Sequence, residues 1–188
     1  MRPDGGGGAG TVILSYPEKG TFILTAAHVL REVEGDCIRV DLFEYDDVGQ
    51  VMGTVSVEGC VVDLDAGEDL AAIHIDYQPS AVVAPLYQGS VRLFQDVYLV
   101  GCPMLINPVA TKGHITALSV EGPEYRPYVG MSADAFPGNS GGGMMVEKDG
   151  VWYLAGVMGW GRVHGQFITY LGYCSPPERL RAFLEWKI

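Results

Sequence analysis

Apolar residues along this chain come in short runs broken by Gly, Pro, Asp and Glu, which is the rhythm of strands and turns rather than of long helices. Thr11–Ser15 and Thr21–Ala26 are two candidate strands separated by a turn-like Tyr-Pro-Glu-Lys-Gly segment at 16–20. Ile38–Phe43, Val51–Val57, Cys60–Leu64 and Leu70–Ile75 follow, which makes six candidates before Pro79 and suits one small barrel. After a connector over 78–89 come Val97–Val100, His114–Val120, Tyr128–Ala133, Gly142–Glu147, Trp152–Gly156 and Gln166–Tyr173, a second set of six. The chain then changes character. Ser175 is placed to cap a helix, prolines and Glu178 occupy its first turn, and Leu180, Phe183 and Leu184 share one face. The predicted organisation is a flexible lead-in over 1–10, a first barrel over 11–85, a second over 86–174 and a terminal helix over 175–188. The expected fold is all-β, two packed six-stranded antiparallel β-barrels with a C-terminal α-helix.

Composition agrees with a folded chain: 48% of the 188 residues are hydrophobic and 19% charged, while 26 glycines and 11 prolines supply turns. The net charge of −11 argues against nucleic acid and anionic membranes as partners. No run approaches the roughly 20 apolar residues of a membrane span, and the glycine-rich start lacks a signal-peptide core, which favours an intracellular location or a leader already removed. Cys37, Cys60, Cys102 and Cys174 form no C-x-x-C pair, so a zinc site is not indicated. Three full disulfide pairings are open to them; a chain this large does not need a disulfide framework, and reduced thiols are expected.

Three segments carry chemistry. Thr25-Ala26-Ala27-His28-Val29 ends an apolar strand, Asp69-Leu70-Ala71 begins another, and Pro137-Gly138-Asn139-Ser140-Gly141-Gly142-Gly143 is a tight loop. A neutral serine is a poor nucleophile and needs a base within hydrogen-bond reach. The base needs a carboxylate to fix its tautomer and stabilise the imidazolium. His28, Asp69 and Ser140 supply that inventory in a chain order known to work. A tetrahedral oxyanion also needs two converging amides, and glycines clear the space for them: Gly138 and Ser140 are the expected donors, with the Asn139 side chain turned away.

With these residues in view, the chain resembles the trypsin-like serine protease superfamily, nearest its HtrA-like and glutamyl-endopeptidase-like bacterial branches. Asn139 before the serine, where pancreatic trypsin has aspartate, favours those branches. Gly10–Leu14 is similar to the strand that opens these domains, Val97–Pro103 with Thr111–Leu118 to the pair that begins the second barrel, and Gly156–Gly161 to the segment lining the primary specificity pocket. The resemblance implies the chymotrypsin-like form of the two-barrel fold, a polypeptide substrate, no metal and no organic cofactor. It also has departures. Val29 stands where mammalian trypsins have cysteine, Gly143 where many relatives have proline, and no Ile-Val-Gly-Gly-like segment exists for zymogen activation.

The expected activity is that of a serine endopeptidase working through an acyl-enzyme on Ser140. The competing readings are a non-catalytic peptide-binding module that keeps the fold, and a peptidase dedicated to processing itself or one partner. Substrate contacts are expected from Gly159, Trp160, Gly161 and Asp134. Asp134 lies six residues before Ser140, the offset of the carboxylate that selects Lys and Arg in trypsin, but its surroundings equally resemble relatives without basic specificity. His164 is a further candidate for meeting an acidic side chain, against its reading as a loop histidine. His74 and His114 read as structural or surface residues, and the acidic clusters at 44–47 and 63–69 read as turns rather than calcium loops.

Overall fold

Strands buried on both faces need continuous apolar runs, and two segments of the first half have them. β2 (Gly20–Thr25) and β5 (Leu70–Ile75) pair antiparallel at the centre of a sheet. Leu24, Leu70 and Ala72 point to one side of it, Ile23, Ala71, Ile73 and Ile75 to the other. β1 (Thr11–Tyr16) flanks β2, while β4 (Val51–Asp65) and β3 (Cys37–Tyr45) complete the order β1-β2-β5-β4-β3. Along β4 and β3 every second residue faces water, so these strands alternate.

The computed structural model describes residues 6–31, 35–79, 83–122, 126–164 and 166–185, without the side chains of 162–170. Within them the second half is a closed barrel, β10-β11-β8-β7-β6-β9, of the expected six strands. They are β6 (Asp96–Gly101), β7 (Val109–Glu121), β8 (Pro127–Met131), β9 (Gly143–Lys148), β10 (Val151–His164) and β11 (Gln166–Ser175). Val97, Leu99, Ile115, Val129, Met131, Met144, Val146 and Met158 fill it.

Three expectations need correction. The first half has five strands in a sheet whose edges, β1 and β3, are not joined among the described residues, so one closed barrel is present where two were expected. The runs at 51–57 and 60–64 are one strand, because Gly59 between them is not a turn. It faces inward, where a β-carbon would come within 2.7–2.9 Å of Val40, Ile73 and Ile75. Next, Cys37 and Cys60 are disulfide-bonded rather than reduced. They face each other across the β3–β4 register, a neighbourhood hidden while Cys60 was read as opening a separate strand. Cys102 and Cys174 remain free thiols.

Finally, Ser175 is not the helix cap. It ends β11 with its hydroxyl buried and without a partner among the described residues, and Pro176 leads into α1 (Pro177–Leu184) without a side-chain cap. The helix face is as expected: Leu180, Phe183 and Leu184 are buried with Ile13, Leu24, Leu70, Leu154 and Val157. That cluster draws on sheet, barrel and helix together. Each large apolar side chain fully buried there contributes about 1.5–3 kcal/mol, which holds the two halves against one another. No described helix is long and apolar enough to cross a membrane.

Candidate functional site

β2 ends in Thr25, and only small residues follow: Ala26 and Ala27 are fully buried. They let the chain turn at once into a single 3-10 turn, Ala27–Leu30, that carries His28. Asp69 stands immediately before β5, and β5 pairs with β2, so the sheet itself brings the two residues together. Asp69 has φ of 54°, a left-handed conformation that Asp tolerates better than most residues. Its Oδ1 accepts the His28 amide at 2.9 Å, and its two oxygens lie 3.0 and 2.9 Å from His28 Nδ1. A carboxylate accepts only, so Nδ1 carries the proton of the neutral ring and Nε2 is left with its lone pair. The Asp69 side chain is 13% exposed and that of His28 30%, which leaves the ring edge open to the cleft.

Ser140 comes from the barrel side. Its carbonyl accepts the Ala9 amide at 2.7 Å, and the Ala9 carbonyl in turn accepts the buried Thr25 hydroxyl at 2.7 Å. The last residues of the glycine-rich lead-in thus tie the serine loop to the strand that precedes His28. The Ser140 hydroxyl makes no hydrogen bond to the His28 ring here; in substrate-free sites such bonds often tighten only when the site is filled.

The backbone of the serine loop has a telling pattern. Asn139 donates to the Phe136 carbonyl, Gly141 to Met158 and Gly142 to Asn139, at 2.8–3.0 Å. The amides of Gly138 and Ser140 have no acceptor among the described residues. Gly138 has φ of 97°, and a β-carbon there would lie 2.5 Å from the Cys102 carbonyl, so the loop requires glycine at this point on both counts. The 102–105 segment buttresses it from behind, with Met104 donating to the Pro137 carbonyl at 2.6 Å. Burial raises the Cys102 thiol above its ordinary pKa. The Asn139 side chain is buried, 3% exposed, with Oδ1 beside Gly101 and without a partner among the described residues.

A pocket of about 210 Å³ opens beside His28, walled by Arg31, Ala66, Gly67, Asp69, Tyr128, Gly159 and Trp160. Of the four residues expected at the substrate, Gly159 and Trp160 line it and Gly161 and Asp134 do not. Asp134 is exposed, and its carbonyl accepts the Thr111 hydroxyl at 2.8 Å. Trp160 stacks on Tyr173 with centroids 4.2 Å apart and meets Tyr128 edge-on at 6.0 Å. The His164 side chain lies outside the described residues. His74 is half-buried and bonded to the Lys19 carbonyl, and the exposed His114 is bonded to Ser132, as structural or surface residues are. In the acidic clusters, Asp46 accepts the Val48 and Gln50 amides and Asp65 that of Glu68, as turn residues do.

One part of the surroundings gives no signal in the sequence. Glu68, next to Asp69, is ion-paired with Arg126 ahead of β8 and with Arg179 of α1, the latter at 2.8 Å. Arg179 also donates to the Pro127 carbonyl and lies over the Tyr128 ring. Burial pushes its guanidinium below the ordinary pKa, opposed by Tyr128. Sheet, barrel and helix are clamped together beside the carboxylate loop, through residues 58 and 111 positions apart.

A family model described as the trypsin-like peptidase domain matches residues 8–153, a span that holds His28, Asp69 and Ser140. The chain belongs to the trypsin-like peptidase family. Its fold is that of the HtrA-type proteases. It superposes on AlgW, an HtrA-type protease determined with a decapeptide, with a TM-score of 0.69 and 19% identity over 95% of this chain. The serine endoprotease from Yersinia pestis gives 0.67 and 22%, and Rv3671c from M. tuberculosis in an inactive form 0.66 and 20%, each again over 95% of this chain. The chain spans 50% of AlgW, 56% of the Yersinia protease and 80% of the mycobacterial one. No curated protein sequence matches it.

Proposed function

We propose that this trypsin-like domain is a serine endopeptidase that cleaves polypeptides through an acyl-enzyme on Ser140. The observation that carries the reading is the loop 137–142, in which the amides of Gly138 and Ser140 have no acceptor among the described residues, tied through Ala9 to the strand that leads into a His28 ring oriented by Asp69. His28 Nε2 takes the Ser140 proton as the hydroxyl attacks the scissile carbonyl. The Gly138 and Ser140 amides receive the oxyanion, a contribution on the order of 3 kcal/mol per donor. The imidazolium, stabilised by Asp69, then protonates the leaving amine, and water releases the acyl group by the same steps in reverse. Trp160 and Gly159 bound the space for a substrate side chain beside His28. The exposed Asp134 gives little support to selection of Lys or Arg, since a carboxylate open to water binds a cation weakly.

A fluorophosphonate probe tests this: it should label Ser140, and Ser140→Ala should abolish labelling. A folded protein that resists the probe while binding peptides would be the non-catalytic module instead. Mapping cuts in a diverse peptide library by mass spectrometry separates a general endopeptidase from one that processes itself or a single partner.

A further inference from the structure

We infer that Arg179 of helix α1 is a positioning residue for Asp69: through Glu68 it holds the Asp69 backbone in the conformation that aims the carboxylate at His28. The consequence for cleavage rests on the protease reading, but the effect on the His28 ring does not require catalysis.

Among the described residues the Asp69 carboxylate is bonded to His28 alone, once to its amide and through both oxygens to Nδ1. No second donor holds it from behind, so its direction is decided by its own backbone. That backbone is left-handed, with φ of 54°, and a residue with a β-carbon stays there only when its neighbours keep it there. On one side Leu70 does so, fully buried at the start of β5. On the other side none of residues 65–68 is buried, so packing cannot do the same.

Charge takes its place. Glu68 is gripped at both oxygens, Oε1 by Arg126 and Oε2 by Arg179 Nε at 2.8 Å. Arg126 also lies against the loop itself, where a β-carbon on Gly67 would come within 2.9 Å of its Nη2. Arg179 is the better anchored of the two. Its side chain is 9% exposed, Nη2 donates to the Pro127 carbonyl at 2.5 Å, and Cζ lies 4.9 Å from the centre of the Tyr128 ring. The helix that carries it is fixed by the buried Leu180, Phe183 and Leu184. A pair this sheltered is screened far less than one at the surface. Tyr128 is itself a wall of the pocket beside His28, so one guanidinium backs both the carboxylate loop and the substrate side of the cleft.

With Glu68 released, Asp69 can relax to an ordinary backbone and carry its carboxylate away from Nδ1. An imidazole without that acceptor favours its proton on Nε2, which then has no lone pair for the Ser140 proton. Complete loss of the orienting carboxylate costs about 10⁴-fold in such triads, and a displacement of about 1 Å costs about a hundredfold.

The test places Glu68→Gln, Arg179→Lys and Arg179→Met in the parent protein and in Asp69→Asn. In the parent, kcat and the rate of fluorophosphonate labelling should fall about 10- to 100-fold with KM nearly unchanged. Arg179→Lys should be the milder arginine variant, since it keeps the charge and loses the fork. In Asp69→Asn the same changes should cost at most about twofold, because the interaction they support is already gone. A purely structural role would cost the same factor in both backgrounds and would overturn the inference, as would parent rates in the folded variants. Should Arg179→Met not fold, the near-isosteric Glu68→Gln carries the same comparison. The ¹⁵N chemical shifts of the neutral His28 ring give a readout without cleavage: they should move from the Nδ1–H tautomer towards Nε2–H in Glu68→Gln and Arg179→Lys. Absence of both cleavage and labelling in the parent would remove the protease reading, and an unchanged tautomer in both variants would then overturn the role of Arg179.

Discussion

Gly8→Ala is the smallest change that should disable the site without touching a residue of the proposed chemistry. Gly8 lies outside the left-handed region, so alanine can adopt its backbone and the cost is one of space. The added β-carbon would meet Val29 Cγ2 at 2.6 Å, Val29 Cγ1 at 2.9 Å and the Ser140 carbonyl oxygen at 2.7 Å. Ordinary contact starts near 3.4 Å, so each neighbour must retreat by about 0.5–0.8 Å. Val29 follows His28 in the same short turn, and the Ser140 carbonyl is the one that Ala9 holds. The methyl group therefore drives apart the two segments that bear the base and the nucleophile.

Overpacking of this kind costs about 1–3 kcal/mol of stability, and a displacement approaching 1 Å at a reacting pair costs up to about a hundredfold in rate. The expected result is a 10- to 100-fold fall in kcat and in the rate of fluorophosphonate labelling, with KM changed little, in a protein still folded by circular dichroism. Two of the three close contacts are with Val29 methyls. Val29→Ala in the same chain should then restore much of the labelling rate, more than additivity of the single changes predicts. Gly8→Ala labelling at the parent rate would refute the reasoning, as would a double variant that recovers nothing.

Three other changes test separate parts of the structure. Cys174 is fully buried against Met131, and burial raises its thiol far above the ordinary value. Below about pH 8.5 the thiol is protonated folded or unfolded; above it only the unfolded chain ionises, so stability should fall by up to about 1.4 kcal/mol per pH unit. Urea titrations between pH 8 and 11 should show that slope reduced in Cys174→Ala. Replacing Cys37 and Cys60 with serine, 23 residues apart, should lower stability by up to about 3 kcal/mol, measured as a lower urea midpoint and reproduced in the parent by reductant. Asn139→Asp places a carboxyl where Oδ1 has no partner among the described residues, so the variant should lose a few kcal/mol at pH 7 and regain part of it as pH falls towards about 4, where the acid is neutral folded and unfolded. A pH-independent loss would show that shape rather than charge is at fault.

Period-two patterning and turn residues were enough to locate the strands. β5 spans the predicted residues, and the six strands of the barrel fall where their apolar runs are. Where the pattern misled, one residue type served two purposes. Gly59 has the composition of a turn and the position of a core residue crowded by three branched side chains. Ser175 has the chemistry of a cap, yet the chain stays extended through it, because its neighbours Cys174 and Tyr173 belong to the barrel. The disulfide was unreadable for a related reason: pairing depends on register, and register on knowing that residues 51–65 are one strand.

The site divides in the same way, between what is local and what arrives from far along the chain. His28 behind two alanines at the end of a strand, Asp69 just before another strand, and a serine among glycines are local signals, since the turn geometry each needs restricts the neighbours it can have. The supports of those residues carry no such restriction. Ala9 reaches Ser140 across 131 positions, and any residue with an amide could make that bond. Glu68 meets Arg179 across 111, in a stretch of acids that reads as an ordinary turn. The wall of the pocket beside His28 is contributed by Tyr128 of β8 and by Gly159 and Trp160 of β10, again far along the chain. Letters thus identify the chemistry a site can perform, while its spacing and its choice of substrate are set by contacts that many sequences could make and that only the fold selects.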